Sequence, residues 1–251
     1  MLLSATGKTG GEHMASEITT TCVFERIEKK FRLSAEQYRA LLPLLDEKMS
    51  RDRFGESTVC NIYYDTPDYT LIRRSIERPL FKEKLRLRSY GIPGNDDMVF
   101  VEIKRKLNGI GYKRRISVPF GEAKKLLRGE PIQCDNPQIE AELLAFVERY
   151  HPQPMVYLTY QRYAMTAKDD PEFRVTIDRN LQYRMSEVEY PSEDGMSPIM
   201  EDESLVLMEI KALGAIPQWL TDEMSRLKIR QAPFSKVGAC YTRHIAPICD
   251  Y

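Results

Sequence analysis

Three short segments of this 251-residue chain place charged residues at every second position. Glu102-Ile103-Lys104 and Glu209-Ile210-Lys211 close two apolar runs with the same three letters, and Lys84-Leu85-Arg86-Leu87-Arg88 alternates base with leucine. In a β-strand successive side chains face opposite ways, so each segment carries one apolar face and one charged face. Alternation alone is ordinary. What matters is that the charged faces are mostly cationic, hold single carboxylates, and recur along the chain. A strongly curved sheet that turned those faces inward would form a basic channel. Such a channel suits a chain of phosphates, because guanidinium offers a planar fork to phosphate oxygens and ammonium a compact charge. Carboxylates belong in an anion site when they hold Mg²⁺ or Mn²⁺, which bridges acid and phosphate oxygens. The candidate inward residues are Arg26, Glu28, Lys30, Lys84, Arg86, Arg88, Glu102, Lys104, Lys106, Lys113, Arg115, Arg162, Arg174, Glu209 and Lys211.

The elements that must position these residues follow from the same periodicity. Residues 23–33 alternate strongly, and Ser34-Ala35-Glu36-Gln37 is a capping box that opens a helix through about Lys48. Pro43 falls inside that helix and is expected to kink or divide it. Residues 58–64 read as a strand closed by Asp65-Thr66-Pro67, followed by a short helix over 68–76. Strands at 81–90, 98–107 and 112–118 form a meander, with turn signals at 91–95 and at Asn108-Gly109. Helices are expected at 121–128 and 137–150, the second with Asn136 as cap and Pro137 in its first position. Strands resume at 155–167 and 174–181, a polar mobile stretch covers 186–203, and a last strand at 204–211 precedes a helix over 217–227. A final helix follows Ser235.

About eight strands in antiparallel groups, with helices between the groups, predict an α+β fold: an eight-stranded antiparallel β-barrel tunnel with helices packed outside. Leu85/Leu87, Val101/Ile103, Val175/Ile177 and Met208/Ile210 would lie under the helices, and their charged neighbours would point inward. Small barrels ordinarily fill their interior with apolar side chains, so a charged interior needs a compensating ligand.

Bulk composition narrows the function classes. Lysine plus arginine equals aspartate plus glutamate at 37 each, so an anion site must come from local clustering, and no nucleic-acid partner is expected. Five scattered cysteines with no CxxC pair favour free thiols and a cytoplasmic protein, and three distant histidines argue against a zinc site or a Ser-His-Asp triad. No apolar run approaches the roughly 20 residues that span a bilayer. The Gly/Ser/Thr-rich opening to about Ser16 reads as a disordered leader, a start assigned upstream of Met14, or a cloning remnant. We take residues 1–20 as the leader and 21–251 as a single domain.

Seven segments in order also resemble a known family: residues 24–31, 62–66, 85–88, 100–104, 174–178, 208–211 and 234–236. Together they are similar to the polyphosphate polymerase domain of the vacuolar transporter chaperone (VTC) family in its stand-alone bacterial form. That family sits among the triphosphate tunnel metalloenzymes, with the CYTH proteins. The resemblance implies a polymerase that transfers the terminal phosphoryl of ATP onto polyphosphate, with Mn²⁺ or Mg²⁺. It implies phosphate-binding or catalytic roles for Lys30, Arg86, Arg88, Lys104, Arg162, Arg174 and Lys236, with Ser235 beside the last and Glu209 as main metal ligand. Lys106, Arg115 and Lys211 extend the phosphate-binding set, and Glu102 and Glu28 the metal set. Arg26 interrupts the alternating glutamates of the CYTH pattern and leaves Glu28 alone, which favours polymerase over hydrolase.

Plainer readings compete with these. A basic strand face is usually a solvated surface, and Glu102 or Glu209 could be a salt-bridge partner among crowded bases. Asp178 reads as a residue that shapes a strand end, with metal binding as its alternative, Tyr63 and Tyr64 as one core and one rim residue, Ser235 as a helix cap and Trp219 as a packing anchor. At the level of function, the alternatives are a CYTH-type triphosphatase and a non-catalytic polyphosphate- or nucleotide-binding module.

Overall fold

Period-two alternation produces one long antiparallel sheet whose two faces bury different things. The computed structural model describes residues 26–77, 79–189 and 191–249, so the expected leader and residues 23–25 lie outside the described residues. The strands are β1 (Arg26–Leu33), β2 (Met49–Arg51), β3 (Ser57–Asp65), β4 (Phe81–Tyr90), β5 (Met98–Leu107), β6 (Ile110–Pro119), β7 (Gln153–Ala167), β8 (Arg174–Arg184), β9 (Ser197–Pro198) and β10 (Val206–Leu213). Their order is β1-β10-β8-β7-β3-β4-β5-β6, with β2 pairing β7 and β9 pairing β8. The sheet is therefore a curled half-barrel built on eight main strands, two short strands being added at its margins. Among the described residues no ladder joins β1 to β6, so the concave side is a channel open along one seam.

The helices are α1 (Ala35–Lys48), α2 (Thr70–Ile76), α3 (Phe120–Leu127), α4 (Pro137–Tyr150), α5 (Gln218–Arg226), α6 (Lys236–Cys240) and α7 (Ala246–Cys249), the last two joined by a π-helical turn at Tyr241–Ile245. On the convex face α1 and α5 cover β1, β10, β8 and β7, burying Leu41, Leu45, Leu220 and Met224 against Val175, Ile177, Met208 and Ile210. The helices α3 and α4 cover the other half, with Leu126, Leu143 and Phe146 packed on Leu85, Leu87, Val101 and Ile103. All four expected outer pairs are buried there. Trp219 is partly buried on the first cluster and meets Phe173 edge-on at 6.2 Å.

The helix ends behave as their sequences dictate. Ser34 Oγ accepts from Gln37 N at 3.1 Å and Gln37 Oε1 accepts from Ser34 N at 3.0 Å, a complete capping box. Asn136 caps α4, and His151 ends it in the left-handed conformation at φ 44°. Pro43 does not divide α1, which runs unbroken to Lys48. Pro43 and Arg39, the residue whose carbonyl loses its N–H partner, are both exposed, while Tyr38, Leu41 and Leu45 hold the helix to the sheet.

The described residues of the stretch 186–203 are built into the fold and are not the mobile segment expected: β9 pairs with β8, and Val188, Ile199 and Met200 are buried. Arg184 gathers it by donating to Ser192 Oγ at 2.6 Å, Asp194 O at 2.7 Å and Glu187 O at 3.0 Å. Its few apolar residues have no period, which is why it reads as loop in the sequence.

Candidate functional site

The concave face is built in rows that the strand registers set. On one wall Lys84, Lys104 and Lys113 pair across β4, β5 and β6; the next row is Arg86, Glu102 and Arg115, and the next sets Arg88 against Phe100. On the other wall Lys30, Glu209 and Thr176 pair across β1, β10 and β8, and Glu28, Lys211 and Arg174 form the adjacent row. Between the walls lies a floor from β3 and β7, where Tyr63 stands opposite Arg86 and Asn61 opposite Arg88. The α6 segment seals the floor, burying Val237 and Cys240 against Val59, Leu158 and Tyr160.

The helix α6 also ties the walls together. Lys84 Nζ donates to Ser235 Oγ at 3.1 Å, and Lys236 Nζ donates to Asp178 Oδ2 at 2.5 Å. Ser235 caps α6 by accepting from Gly238 N at 3.2 Å, so its role as a cap stands alongside its contact with Lys84. Charge couples the facing walls as well: Lys30 acts on Lys84, and Glu28 on Lys104. The scattered cations thus share one concavity.

Each buried charge has a partner, as burial demands. Arg86 Nε donates to Glu102 Oε2 at 2.6 Å, while Lys113 Nζ lies 2.5 Å from Oε1. Arg88 donates to Asn61 Oδ1 at 3.0 Å and to the Tyr160 hydroxyl at 3.1 Å. Arg162 clasps Asp178 through two bonds of 2.6 and 2.7 Å. Glu209 meets Lys211 at 2.9 Å and Lys30 at 3.7 Å, and Lys30 also reaches Glu28 at 3.4 Å. The Thr176 hydroxyl beside Glu209 is buried and makes no hydrogen bond.

Protonation states follow. Burial would raise the Glu102 carboxyl, but Arg86, Arg88 and Lys113 outweigh it and hold it at about 2. Glu209 is likewise held at about 2 by Lys211 and Lys30 against burial, and Asp178 at about 2 by Lys236 and Arg162. Burial pushes Lys84 and Lys104 down to about 8, with Arg86 adding to the effect at both. Lys104 is open to water along the channel yet crowded by both walls, so part of that depression is screened. Burial opposes ionisation of Tyr63, but Arg86, Lys84 and Arg88 overcome it and bring the phenol to about 7.

Of the residues expected at a phosphate site, Lys30, Arg86, Arg88, Lys104, Arg162, Lys211, Ser235 and Lys236 line this channel together. Arg174 is an exposed wall residue beside Lys211, and Arg115 lies over the Phe100 ring at 4.4 Å from its centre. Lys106 is exposed near the β5–β6 turn, in a row with Lys82 and Gly111.

The three carboxylates expected around a metal divide differently. Among the described residues no group of three or more candidate metal-binding side chains forms. Glu28 and Glu209 share Lys30 and stay reachable, at 45% and 16% side-chain exposure; with phosphate oxygens and water they suit Mg²⁺ or Mn²⁺, which needs only one or two carboxylates. Glu102 does not fit a metal: its side chain is fully buried and both oxygens face Arg86 and Lys113. It serves as their counter-ion.

Asp178 is not a strand-end residue but a mid-strand bridge, and Tyr63 is a floor residue while Tyr64 packs in the outer core; both tyrosines are buried. Parity could have placed Asp178, which is four residues from Arg174 and so on the same face. Asn61 and Tyr160 gave no such signal, because a neutral side chain on an alternating strand looks like any other.

A curled antiparallel sheet with helices on its convex face and bases and carboxylates on its concave face defines a protein with a charged channel along one sheet. The VTC domain family matches residues 25–244, and the chain belongs to that family. Among solved structures the chain is similar to the PH1819 protein of Pyrococcus horikoshii OT3, with TM-score 0.47 and 11% identity, covering 88% of this chain and 100% of that one. A candidate adenylate cyclase of Vibrio parahaemolyticus gives TM-score 0.45 and 13% identity over 86% and 97% of the two chains. The Mimivirus capping enzyme triphosphatase gives 0.34 and 10% over 80% and 88%. No curated protein matches the chain. No helix among the described residues is long and apolar enough to cross a membrane.

Proposed function

We propose that this protein is an ATP-dependent polyphosphate polymerase, which moves the terminal phosphoryl group of ATP onto the end of a polyphosphate chain and releases ADP. The observation that carries the reading is the pair of cationic walls facing each other across one channel, with Glu209 and Glu28 meeting at Lys30. Phosphoryl transfer asks little covalent help from a protein, and positioning with charge neutralisation does most of the work. Arg86 and Arg88, held rigid by Glu102, Asn61 and Tyr160, orient phosphate oxygens. Lys84, Lys104 and Lys30 supply further positive charge, and Lys236 and Arg162 line the floor beside them. Mn²⁺ or Mg²⁺, when bound at Glu209 and Glu28, would neutralise charge on the bridging oxygens. The P–O bond to ADP breaks as the bond to the acceptor's terminal oxygen forms, so no protein nucleophile is required. ATP and polyphosphate are thus the proposed partners, and the free thiols Cys60, Cys134 and Cys240 favour the cytoplasm.

The test is incubation with ATP and Mn²⁺. Long acid-labile polymer with stoichiometric ADP is the expected product. Free phosphate alone would replace the reading with a triphosphatase, and tight polyphosphate binding without turnover would replace it with a binding module.

A further inference from the structure

One face of β4 presents Lys84, Arg86, Arg88 and then Tyr90, since all four lie at alternate positions of one strand. At about 6.7 Å per pair of residues this row runs about 20 Å, comparable to an extended nucleoside triphosphate. Its chemistry changes abruptly at one end. Beyond Arg88, where a phosphate-only channel would continue with polar or basic groups, the row ends in an aromatic ring that is 57% exposed. Phe100, the cross-strand partner of Arg88, lies beside it, with ring centres 6.1 Å apart and planes at 85°. The Arg115 guanidinium covers Phe100 at 4.4 Å. Met98, two residues before Phe100 on the same face, is 56% exposed.

Tyr90 and Met98 stay open to water at this end of the row, and neither α3 nor α4 covers them, because they lie on the concave side. Planar aromatic bases stack on such rings and on guanidinium planes with little regard to base identity. We propose that Tyr90, Phe100 and Arg115 form a nucleobase subsite, so that the donor binds as a nucleotide with its base at this end and its phosphates along Arg88, Arg86 and Lys84. The polarity this imposes directs the terminal phosphate toward the Lys84 row, which faces Lys30 and hence Glu209 and Glu28. The inference rests on the reading of ATP as donor, and it deepens that reading by assigning the base a place at Tyr90, Phe100 and Arg115 and so a direction for the phosphates along β4.

Calorimetric titration with the β,γ-imido analogue of ATP and, separately, with tripolyphosphate tests it without turnover. Tyr90→Ala, at an exposed position, is expected to weaken the nucleotide about tenfold while tripolyphosphate affinity stays within about twofold. Tyr90→Phe should restore nucleotide binding, because stacking needs the ring and not the hydroxyl, and Phe100→Leu should repeat the selective loss. An equal loss for both probes, or no loss for either, overturns the subsite while leaving the triphosphate channel intact. Wild-type protein that bound neither probe would remove the channel reading and the subsite with it.

Discussion

Arg162 and Asp178 face each other across β7 and β8 and join by two hydrogen bonds, Nε to Oδ1 at 2.6 Å and Nη2 to Oδ2 at 2.7 Å. Lys236 closes on the same carboxylate at 2.5 Å, so one buried aspartate fastens two strands to α6. It also gives two of the channel's cations a counter-ion before any phosphate arrives. Asp178→Asn would leave that pair of charges buried and uncompensated. We expect a loss of roughly 3–5 kcal/mol in unfolding free energy. Urea titration checks this, and a loss below about 1 kcal/mol would mean that the triad holds nothing together.

Glu209→Gln keeps the shape of the side chain but removes the charge shared with Lys211 and Lys30. Polymer synthesis should vanish while binding of tripolyphosphate persists or strengthens, since a competing carboxylate has gone. Full activity in the variant would show that Glu209 holds no catalytic metal.

Arg86 and Glu102 form the most deeply buried ion pair of the channel, and they separate structure from binding. Arg86→Ala should weaken tripolyphosphate binding and also destabilise the fold, because Glu102 then keeps only the Lys113 contact. Adding Glu102→Gln should recover most of the stability and none of the binding. A double variant no more stable than Arg86→Ala would show that the two residues are not coupled.

Acid should loosen the structure in a definite window. Glu102, Asp178 and Glu209 are each held at about 2, against ordinary values of 4.5, 3.8 and 4.5. Depressed carboxyls contribute stability that is complete above the ordinary value and lost as pH falls through the folded one. Unfolding free energy should therefore be level down to about pH 4.5 and fall steeply toward pH 2. A flat profile across that range, measured by denaturant titration, would contradict the assignment.

Alkali should act on binding. Burial holds Lys84 at about 8 and pushes the more open Lys104 in the same direction, and Tyr63 near them lies at about 7. Raising pH through this range removes positive charge and adds a phenolate, so tripolyphosphate affinity should drop between pH 7 and 9. Stability moves the other way above about pH 8, because a lysine that titrates at 10.5 when unfolded then binds more protons unfolded than folded. Bound anion draws both lysines back toward protonation, and proton uptake on binding at pH 8.5 is the direct measure.

Much of this was legible in the chain itself. Alternation assigned β4 and β5 to their observed bounds, the capping box at Ser34 and the Asn136-Pro137 start opened α1 and α4 where they begin, and parity put Arg86, Lys104 and Glu209 on one kind of face. These are local properties: a strand's two faces follow from backbone geometry alone, and a cap is settled within four residues. The partners of each charge were not local. Glu102 as counter-ion instead of metal ligand, Asp178 as a bridge, and Tyr63 as a floor residue depend on which strands lie side by side and how strongly the sheet curls. The binding of Lys236 to Asp178 joins residues 58 positions apart. Sequence decided which side chains are charged and which way they point along a strand; only the closure of β1, β10 and β8 toward β4 and β5 decided what they face, because electrostatic pairing depends on distances that no single strand contains.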